Sequence, residues 1–253
     1  MLWYRSWLET RWRFFIGLAI LMWTAGGIVL VWPKVAELLP VASNLQVSGM
    51  IGRKIRESVE LQREYPGYIW SQWFRQNLTN MGTLLAALLG TGGLLSQRSG
   101  GLFMLSLPAS RNRLLWIRAG TGLAELFVVV LLPSLLIPLL SPAVGKSYGM
   151  EDAAVHGVCF FLAVAVFFSL ALLLSTVFDD VWRPLLISLA VAVTMWVFEQ
   201  AALPQSHYGF FRVMNAESWF RSGQLPWLGL LASAAASTAM LYGAVVNIMR
   251  RDF

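Results

Sequence analysis

The chain has 253 residues, of which 57% are hydrophobic and only 13% are charged, and its mean hydropathy is +0.64. A soluble globular domain carries roughly 25% charged residues, so this composition excludes that class and indicates a membrane protein. The formal net charge of +6 does not indicate a nucleic-acid partner, because the cations lie at the ends of apolar runs, where anionic lipid headgroups or a cytosolic protein would meet them.

Residues 1–13 precede the first long apolar run. Arg5, Glu9 and Arg13 recur four residues apart on one helical face, and two tryptophans lie on another face. This pattern predicts a helix in the plane of the membrane interface; the alternative is a basic tail that only sets the orientation of the first span. The next 19 residues, 14–32, carry no charge and are long enough to cross the ~30 Å hydrocarbon core.

The longest polar stretch, 33–76, is predicted to lie outside the membrane. Its part 53–64 combines cations and acids at i, i+4 with an apolar stripe, which predicts an amphipathic helix that ends before Pro66. This helix would rest on the lipid headgroups or form an external gate. A set of aromatic residues follows and predicts re-entry into the interface: Tyr65, Tyr68, Trp70, Trp73 and Phe74.

Five further apolar runs complete a predicted all-α membrane protein with six transmembrane helices in one domain, 1–253. They are 77–95, 114–140, 153–178, 185–203 and 227–249. Pro133 and Pro138 predict a kink or a broken end in the third span. The segment 204–226 is rich in aromatic residues and poor in charges, which predicts that it lies in the outer leaflet or dips back into it.

A short basic segment, 96–113, joins the second span to the third and is called the connector here. It carries three arginines and no acidic residue, and Arg118 follows one turn into the third span. Lys and Arg are retained on the cytoplasmic side of a membrane, so the connector and both chain termini are predicted to be cytoplasmic. Within the connector, 98–107 can form a short helix that Pro108 ends.

The connector also carries a family resemblance. Gly-Gly-Leu-Leu-Ser-Gln-Arg-Ser-Gly-Gly at 92–101, followed by Leu-Ser-Leu-Pro-Ala-Ser-Arg at 105–111, resembles the first cytoplasmic loop of ABC transporter permeases of the type-two exporter class. Those loops typically read as an acidic residue, two variable positions, Gly-Thr, an apolar helix and Leu-Ser-Leu-Pro-Val-Ser-Arg. Gln97 stands at the acidic position here, and Gly101 stands at the threonine.

The resemblance implies that the connector contains a coupling helix that docks on a separate cytosolic ATPase subunit. It implies a complex in the cell (inner) membrane of two permease copies, or of this chain and a similar permease, with an ATPase dimer that holds ATP and Mg²⁺. No cofactor is expected in this chain. The residues implied in docking are Arg98, Gly100, Leu105, Pro108, Arg111 and Arg113. Lipid, peptide, antibiotic and glycan all stay open as the exported substrate.

Catalytic and nucleotide-binding motifs are not predicted. Gly-Lys-Ser at 145–147 lacks the first glycine of a phosphate-binding loop, because position 140 is leucine, so ATP is expected on the partner. His156, His207 and Cys159 lack the spacing of metal ligands, and a single cysteine cannot form an intrachain disulfide. The chain is therefore predicted not to be an enzyme and to hold no catalytic, cofactor or metal residue.

Glu125 is an acid that lies well inside a predicted span. A charge at mid-membrane costs roughly 2.5–3.5 kcal/mol on insertion scales, so the side chain should face the bundle or a wet cavity. Two hypotheses follow: a residue of the translocation path, or a hydrogen-bonded carboxyl that fixes helix packing. Glu199 is predicted to reach the outer interface. Asp179 and Asp180, in the turn between the fourth and fifth spans, would cap helices or contact the partner ATPase, and capping is the favoured prediction.

Two other functional classes are compatible with these spans. One is an intramembrane enzyme, such as a protease or lipid transferase, with Glu57, Glu60 or Glu125 as acid or base, although the sequence shows no paired catalytic set for it. The other is a non-transporting membrane scaffold or immunity protein. Co-purification with an ATP-hydrolysing subunit separates all three classes.

Overall fold

The computed structural model describes residues 2–43, 59–91, 111–178, 180–202 and 209–250, and the structural statements below concern these ranges. Within them every regular element is a helix, and no strand occurs. The prediction of an all-α fold is therefore confirmed for the described part of the chain.

The regular elements follow one another as α1 (Leu2–Ser43), α2 (Tyr65–Ile69), a π-helical segment (Trp70–Leu78), α3 (Thr79–Gly90), α4 (Arg111–Leu140), a 3-10 turn (Ser141–Val144), α5 (Met150–Ser175), α6 (Trp182–Ala202), α7 (Phe210–Met214), α8 (Glu217–Ser222) and α9 (Trp227–Arg250). Residues 59–62 are also helical. Because α2, the π-helical segment and α3 adjoin each other, the chain is helical without interruption from Tyr65 to Gly90.

Five of the described helices are long and apolar enough to cross a membrane. Their apolar ranges are Ser6–Leu38, Asn112–Val144, Met150–Ser175, Trp182–Ala201 and Trp227–Arg250. Each overlaps one of the predicted spans. This is the architecture of a multi-pass, all-α membrane protein.

The predicted second span, 77–95, differs from these five. Helix α3 ends at Gly90, and residues 92–95 lie outside the described ranges. The π-helical segment before α3 is polar in its second half, with Arg75, Gln76 and Asn77 in succession. The six-span layout therefore stays a prediction.

Helix α1 takes the place of two elements predicted at the amino terminus. The expected interfacial helix at 1–13 and the expected span at 14–32 form one helix, which also runs into the predicted outer segment 33–76. No glycine or proline occurs in the first sixteen residues, so nothing in the local sequence separates the two parts. The helix continues through Pro33, whose missing amide removes one hydrogen bond without ending it.

Helix α5 lies at the centre of the bundle. It packs against α3, α4, α6, α7 and α9, while α1 packs mainly on α4. Its span is 67% buried, whereas the spans of α1 and α6 are 28% buried. The end of the bundle at which the connector joins α3 and α4 is called the connector end here, and the opposite end is called the far end.

Two glycines allow α3 and α4 to approach the aromatic face of α5. A Cβ atom at Gly82 would lie 2.7 Å from the ring of Phe160, and one at Gly122 would lie 2.6 Å from the ring of Phe168. Both phenylalanines are fully buried. Small residues at such crossings bring helices together in a membrane, where water does not drive association.

Large apolar side chains cover the outside of the bundle. Examples on four of the long helices are Trp23, Leu132, Val193, Phe198 and Leu231, all of them exposed. An apolar surface of this extent would cause association in water, but it matches the acyl chains of a bilayer.

The aromatic residues that were predicted to mark the membrane interface lie in the protein core instead. Tyr65, Tyr68, Trp70, Trp73 and Phe74 are all buried. Their polar atoms have protein partners; for example, Tyr68 Oη donates to Ile28 O at 3.1 Å, and the hydroxyl of Tyr65 lies 2.8 Å from that of Ser141. Burial raises the pKa of both tyrosines, so they remain neutral hydrogen-bonding groups. An indole or phenol suits a buried position once its polar end is satisfied.

Residues 209–223, which hold α7 and α8, form a structure called the far-end cap here. The ring of Phe210 lies 5.5 Å from that of Phe167, which is 17 residues, or roughly 25 Å, along α5 from Met150. The cap therefore returns into the bundle. The carboxylate of Glu199 accepts from the amides of Phe211 at 2.8 Å and Arg212 at 3.3 Å, and so holds the start of α7.

This arrangement corrects the expectation for Glu199. The side chain was predicted to reach the outer interface, but it is buried beneath the far-end cap. Free amide groups at the start of a short helix are strong donors to a carboxylate, and they replace the water that the charge would otherwise need.

Replacing Gly122 with alanine should destabilise the bundle by about 1–3 kcal/mol, because the new methyl group would overlap the ring of Phe168. Gly27→Ala is the matched control, since no atom lies within 4 Å of a Cβ at that position. The control should be neutral or stabilising by at most about 1 kcal/mol. Thermal unfolding in one detergent measures both, and an unchanged midpoint for Gly122→Ala would contradict the described packing.

Candidate functional site

A cluster of charged residues joins α1, α3 and α4 at the connector end. Arg118 Nη1 donates to Glu9 Oε2 at 3.2 Å, and its Nη2 donates to Thr91 O at 3.1 Å. Arg13 Nη1 donates to Thr91 O at 2.9 Å and to Leu88 O at 3.0 Å. These three side chains and two carbonyl groups are called the arginine clasp here.

The arginine clasp satisfies the carboxyl-terminal end of α3. The last carbonyl groups of a helix have no partner within it, and the helix dipole places partial negative charge there. Leu88 and Thr91 lie at this end, and Thr91 is fully buried. Two guanidinium groups therefore supply hydrogen-bond donors and positive charge where water is excluded.

The sequence of α1 places the clasp residues on one face. Glu9 and Arg13 are four residues apart, so they lie one turn from each other along the face that meets α4. On α4, Arg118 and Glu125 are seven residues apart, or about two turns, and both are buried against α1. Helices α1 and α4 thus meet through two pairs of polar side chains in an otherwise apolar contact.

Glu125 contacts α1 directly. Its Oε1 accepts a hydrogen bond of 2.6 Å from Thr10 Oγ1, and the residue is 5% exposed. Its Oε2 has no hydrogen-bond partner among the described residues. The contact with Thr10 fits the hypothesis of a carboxyl that fixes helix packing, and a role in the translocation path stays a prediction.

The charges of this cluster, of which those of Arg118 and Glu125 are buried, are balanced. Arg13 and Arg118 contribute two positive charges, and Glu9 and Glu125 can contribute two negative charges. Moving an ion from water to a protein interior costs several kcal/mol, which close partners offset. Removing one partner from such a set is costly, because the remaining charge stays buried.

The clasp joins the two helix ends that flank the connector, the end of α3 and the start of α4, which are called its stems here. Thr91 is the last described residue before residues 92–110, and Arg118 lies two turns after Arg111, the first described residue beyond them. The hydrogen bond from Arg118 to Thr91 therefore closes the base of this segment. Because Glu9 accepts from Arg118 Nη1 and Arg13 donates to Thr91 O, α1 is fixed to that base as well.

Most of the residues implied in ATPase docking lie outside the described ranges. These are Arg98, Gly100, Leu105 and Pro108, together with the expected coupling helix at 98–107. Arg111 begins α4, and Arg113 has an exposed side chain in its first turn.

Arg118 had been grouped with the connector by its charge, but the structure places it in the arginine clasp at 6% exposure. One feature of the sequence indicates that Arg118 is buried and paired: it lies inside an apolar run, and an acid follows seven residues later. Its partner Glu9 is 109 residues away, so the pairing could not be read from spacing.

His156 and Asp180, which the sequence analysis also considered, make contacts that stabilise the fold. His156 is buried in α5, where its Nδ1 lies 2.7 Å from Asp152 O and its ring packs on Phe74. Asp180 Oδ1 accepts from the amide of Arg183 at 2.8 Å, so its expected capping role is confirmed. Asp179 lies outside the described ranges.

The described ranges also place three further sequence features. Gly145 adopts a left-handed conformation after the 3-10 turn, and this segment does not follow a strand as a phosphate-binding loop does. Among the described residues, no group of three His, Cys, Asp or Glu could hold a metal ion. Of the acids considered for an enzyme, Glu57 lies outside the described ranges, and Glu60 is exposed whereas Glu125 is buried.

Arg118→Met should destabilise the protein by about 3–5 kcal/mol, because it removes both the cation beside Glu9 and a donor to Thr91. Arg113→Met removes an exposed cation from the same helix and should change stability by no more than about 0.5 kcal/mol. Thermal unfolding of the two variants gives the comparison. Equal midpoints would show that the arginine clasp contributes nothing to stability.

Comparison of the chain with protein-family models, with curated proteins and with solved structures found no match. The geometry of the arginine clasp and the motif of the connector therefore carry the functional argument.

Proposed function

We propose that this chain is the membrane-spanning permease subunit of an ATP-driven ABC exporter, and that a separate ATPase subunit docks on the connector. Two features support the proposal besides the lipid-facing bundle. The first is the resemblance of residues 92–111 to a coupling loop. The second is the arginine clasp, which fixes the stems of that loop to three helices.

The hydrogen bond from Arg118 to Thr91 carries the proposal. A loop that only connects two spans needs no buried cation at its base, and placing one there is costly unless it is paired. A loop that receives force needs stems that move together. The bond of 3.1 Å between Arg118 Nη2 and Thr91 O provides that link, and it is supported by Glu9 on Arg118 Nη1 and by Arg13 on Thr91 O.

The proposed cycle uses the clasp as its transmission point. The ATPase pair closes on ATP and pushes on the connector, where Arg98 and Arg111 contribute charge-assisted contacts and Gly100 permits close backbone approach. The displacement passes through the clasp to α1, α3 and α4 as one unit. These helices shift against α5, and substrate is released when the far-end cap leaves its place between α5, α6 and α9.

Charge reversal on the connector tests the docking. The double variant Arg98→Glu/Arg111→Glu should reduce the amount of co-purified ATP-hydrolysing subunit by at least about tenfold, because a loss of 1.4 kcal/mol already weakens binding tenfold. Its remaining ATPase activity should be uncoupled from export. The measurement is quantitative co-purification in detergent, followed by ATPase and transport assays in proteoliposomes.

The matched control is Arg63→Glu/Lys146→Glu, which reverses two exposed cations near the far end. It should leave co-purification and export within about twofold of the wild-type values, because surface substitutions away from a site have small effects. An export activity of the purified chain without any ATP-hydrolysing subunit would contradict the proposed function. So would full coupling in the connector variant.

Thiol labelling tests the orientation. In a Cys159→Ala background, Arg113→Cys should react with a membrane-impermeant maleimide only from the cytoplasmic side, because cations near span ends stay there. Lys146→Cys should react only from the opposite side. Both positions are exposed, and Cys159 is buried. Labelling of Arg113→Cys from the outside of intact cells would contradict the placement of the connector.

A further inference from the structure

One residue of the far-end cap, Asn215, contacts both ends of the π-helical segment. Trp70 Nε1 donates to Asn215 O at 3.0 Å, and Thr79 Oγ1 donates to Asn215 Oδ1 at 2.7 Å. Trp70 is the first residue of the segment, and Thr79 directly follows its last. All three residues are buried.

This double contact fits a π-helix and does not fit an α-helix. Trp70 and Thr79 are nine residues apart, which is about two and a half turns of an α-helix, so an α-helix would place them on opposite faces. A helix with hydrogen bonds from i to i+5 has more residues per turn than an α-helix, so nine residues come closer to two whole turns. In the π register both side chains therefore reach the face that Asn215 occupies.

Side chains within the segment also favour the π register. Asn77 Nδ2 donates to Gln72 O at 2.7 Å, and Thr79 Oγ1 lies 2.9 Å from Phe74 O. Each of these contacts joins a side chain to the carbonyl group five residues earlier. Most π-helices are single-turn bulges, so a segment of nine residues requires stabilising contacts of this kind.

The far-end cap holds Asn215 in a fixed position. The amide of Asn215 donates to Phe211 O at 3.0 Å, and the next residue, Ala216, adopts a left-handed conformation with φ of 49°. A non-glycine residue in this region is uncommon and persists only where surrounding contacts impose it. The ring of Phe220 stacks on that of Trp70 at 4.7 Å, which adds a further contact between the cap and the segment.

We propose that Asn215 clamps residues Trp70–Leu78 in the π register, so that the far-end cap and the π-helical segment form one two-state switch. The segment is π-helical while the cap is docked and converts towards an α-helix when the cap leaves. Conversion turns the Trp70 end relative to α3, which breaks the contacts of Trp73 with Ser134 and of Phe74 with His156. This inference does not rest on the proposed export function.

The chain offers a matched pair of variants for the test. Thr79 and Thr83 lie one turn apart on α3 and are each 7% exposed, but the hydroxyl of Thr83 has no hydrogen-bond partner among the described residues. Thr79→Val and Thr83→Val therefore make the same chemical change at equal burial. They differ in the loss of the contacts to Asn215 and Phe74.

Hydrogen–deuterium exchange of the full-length protein in detergent gives the readout. Thr79→Val and Asn215→Ala should each raise amide exchange in peptides that cover 70–78 by about tenfold, because one lost buried hydrogen bond corresponds to about that factor. Thr83→Val should change exchange there by less than about twofold. Thr79→Ser, which keeps the hydroxyl group, should retain the protection of the wild-type protein.

Two results would overturn the proposal. One is equal protection of 70–78 in Thr79→Val, Thr83→Val and the wild-type protein. The other is a rise of exchange in α5 as large as that in 70–78, which would mean that the contacts stabilise the whole bundle and do not control a local register.

Discussion

A guanidinium group buried among apolar helices organises the connector end of this protein. Arg118 remains there because Glu9 pairs with it and because α3 ends with a carbonyl group pointing at it. None of the three helices can separate from the others without leaving charge or a polar backbone group unsatisfied. The connector that leaves α3 and enters α4 therefore starts from a base in which these contacts join α1, α3 and α4.

Hydropathy and charge predicted much of the architecture. Five apolar runs form long helices near their expected ranges, because a span has to be helical, apolar and about 20 residues long. The predictions of interfacial positions were wrong where polar and aromatic side chains contact protein groups and not the membrane interface. Glu9 and Arg13 suggested a surface helix, yet they are partly buried and contact Arg118 and the end of α3. Trp70 and Trp73 are buried, and Asn215 and Ser134 accept from their indoles. Contacts between residues so far apart in the sequence produce no local sequence pattern from which they could be predicted. The same is true of a π-helical register.

The two ends of the bundle use related devices around the central helix α5. At the connector end, cations satisfy the carbonyl groups where α3 ends. At the far end, the carboxylate of Glu199 satisfies the amide groups where α7 begins. Each device fixes a helix terminus to the bundle through a charged side chain. Charge-assisted contacts of this kind have defined geometry, which suits elements that move between two arrangements.

The proposed cycle requires that α1 and α4 move together when the connector is pushed. Spin labels at Tyr4 and Trp116, both exposed on these helices, and a second pair at Trp116 and Trp182 allow the distances to be measured by double electron–electron resonance. In the proposed complex with an ATPase subunit, ATP should change the Trp116–Trp182 distance and leave the Tyr4–Trp116 distance constant. A nucleotide-dependent change between Tyr4 and Trp116, or no change in either pair, would contradict it.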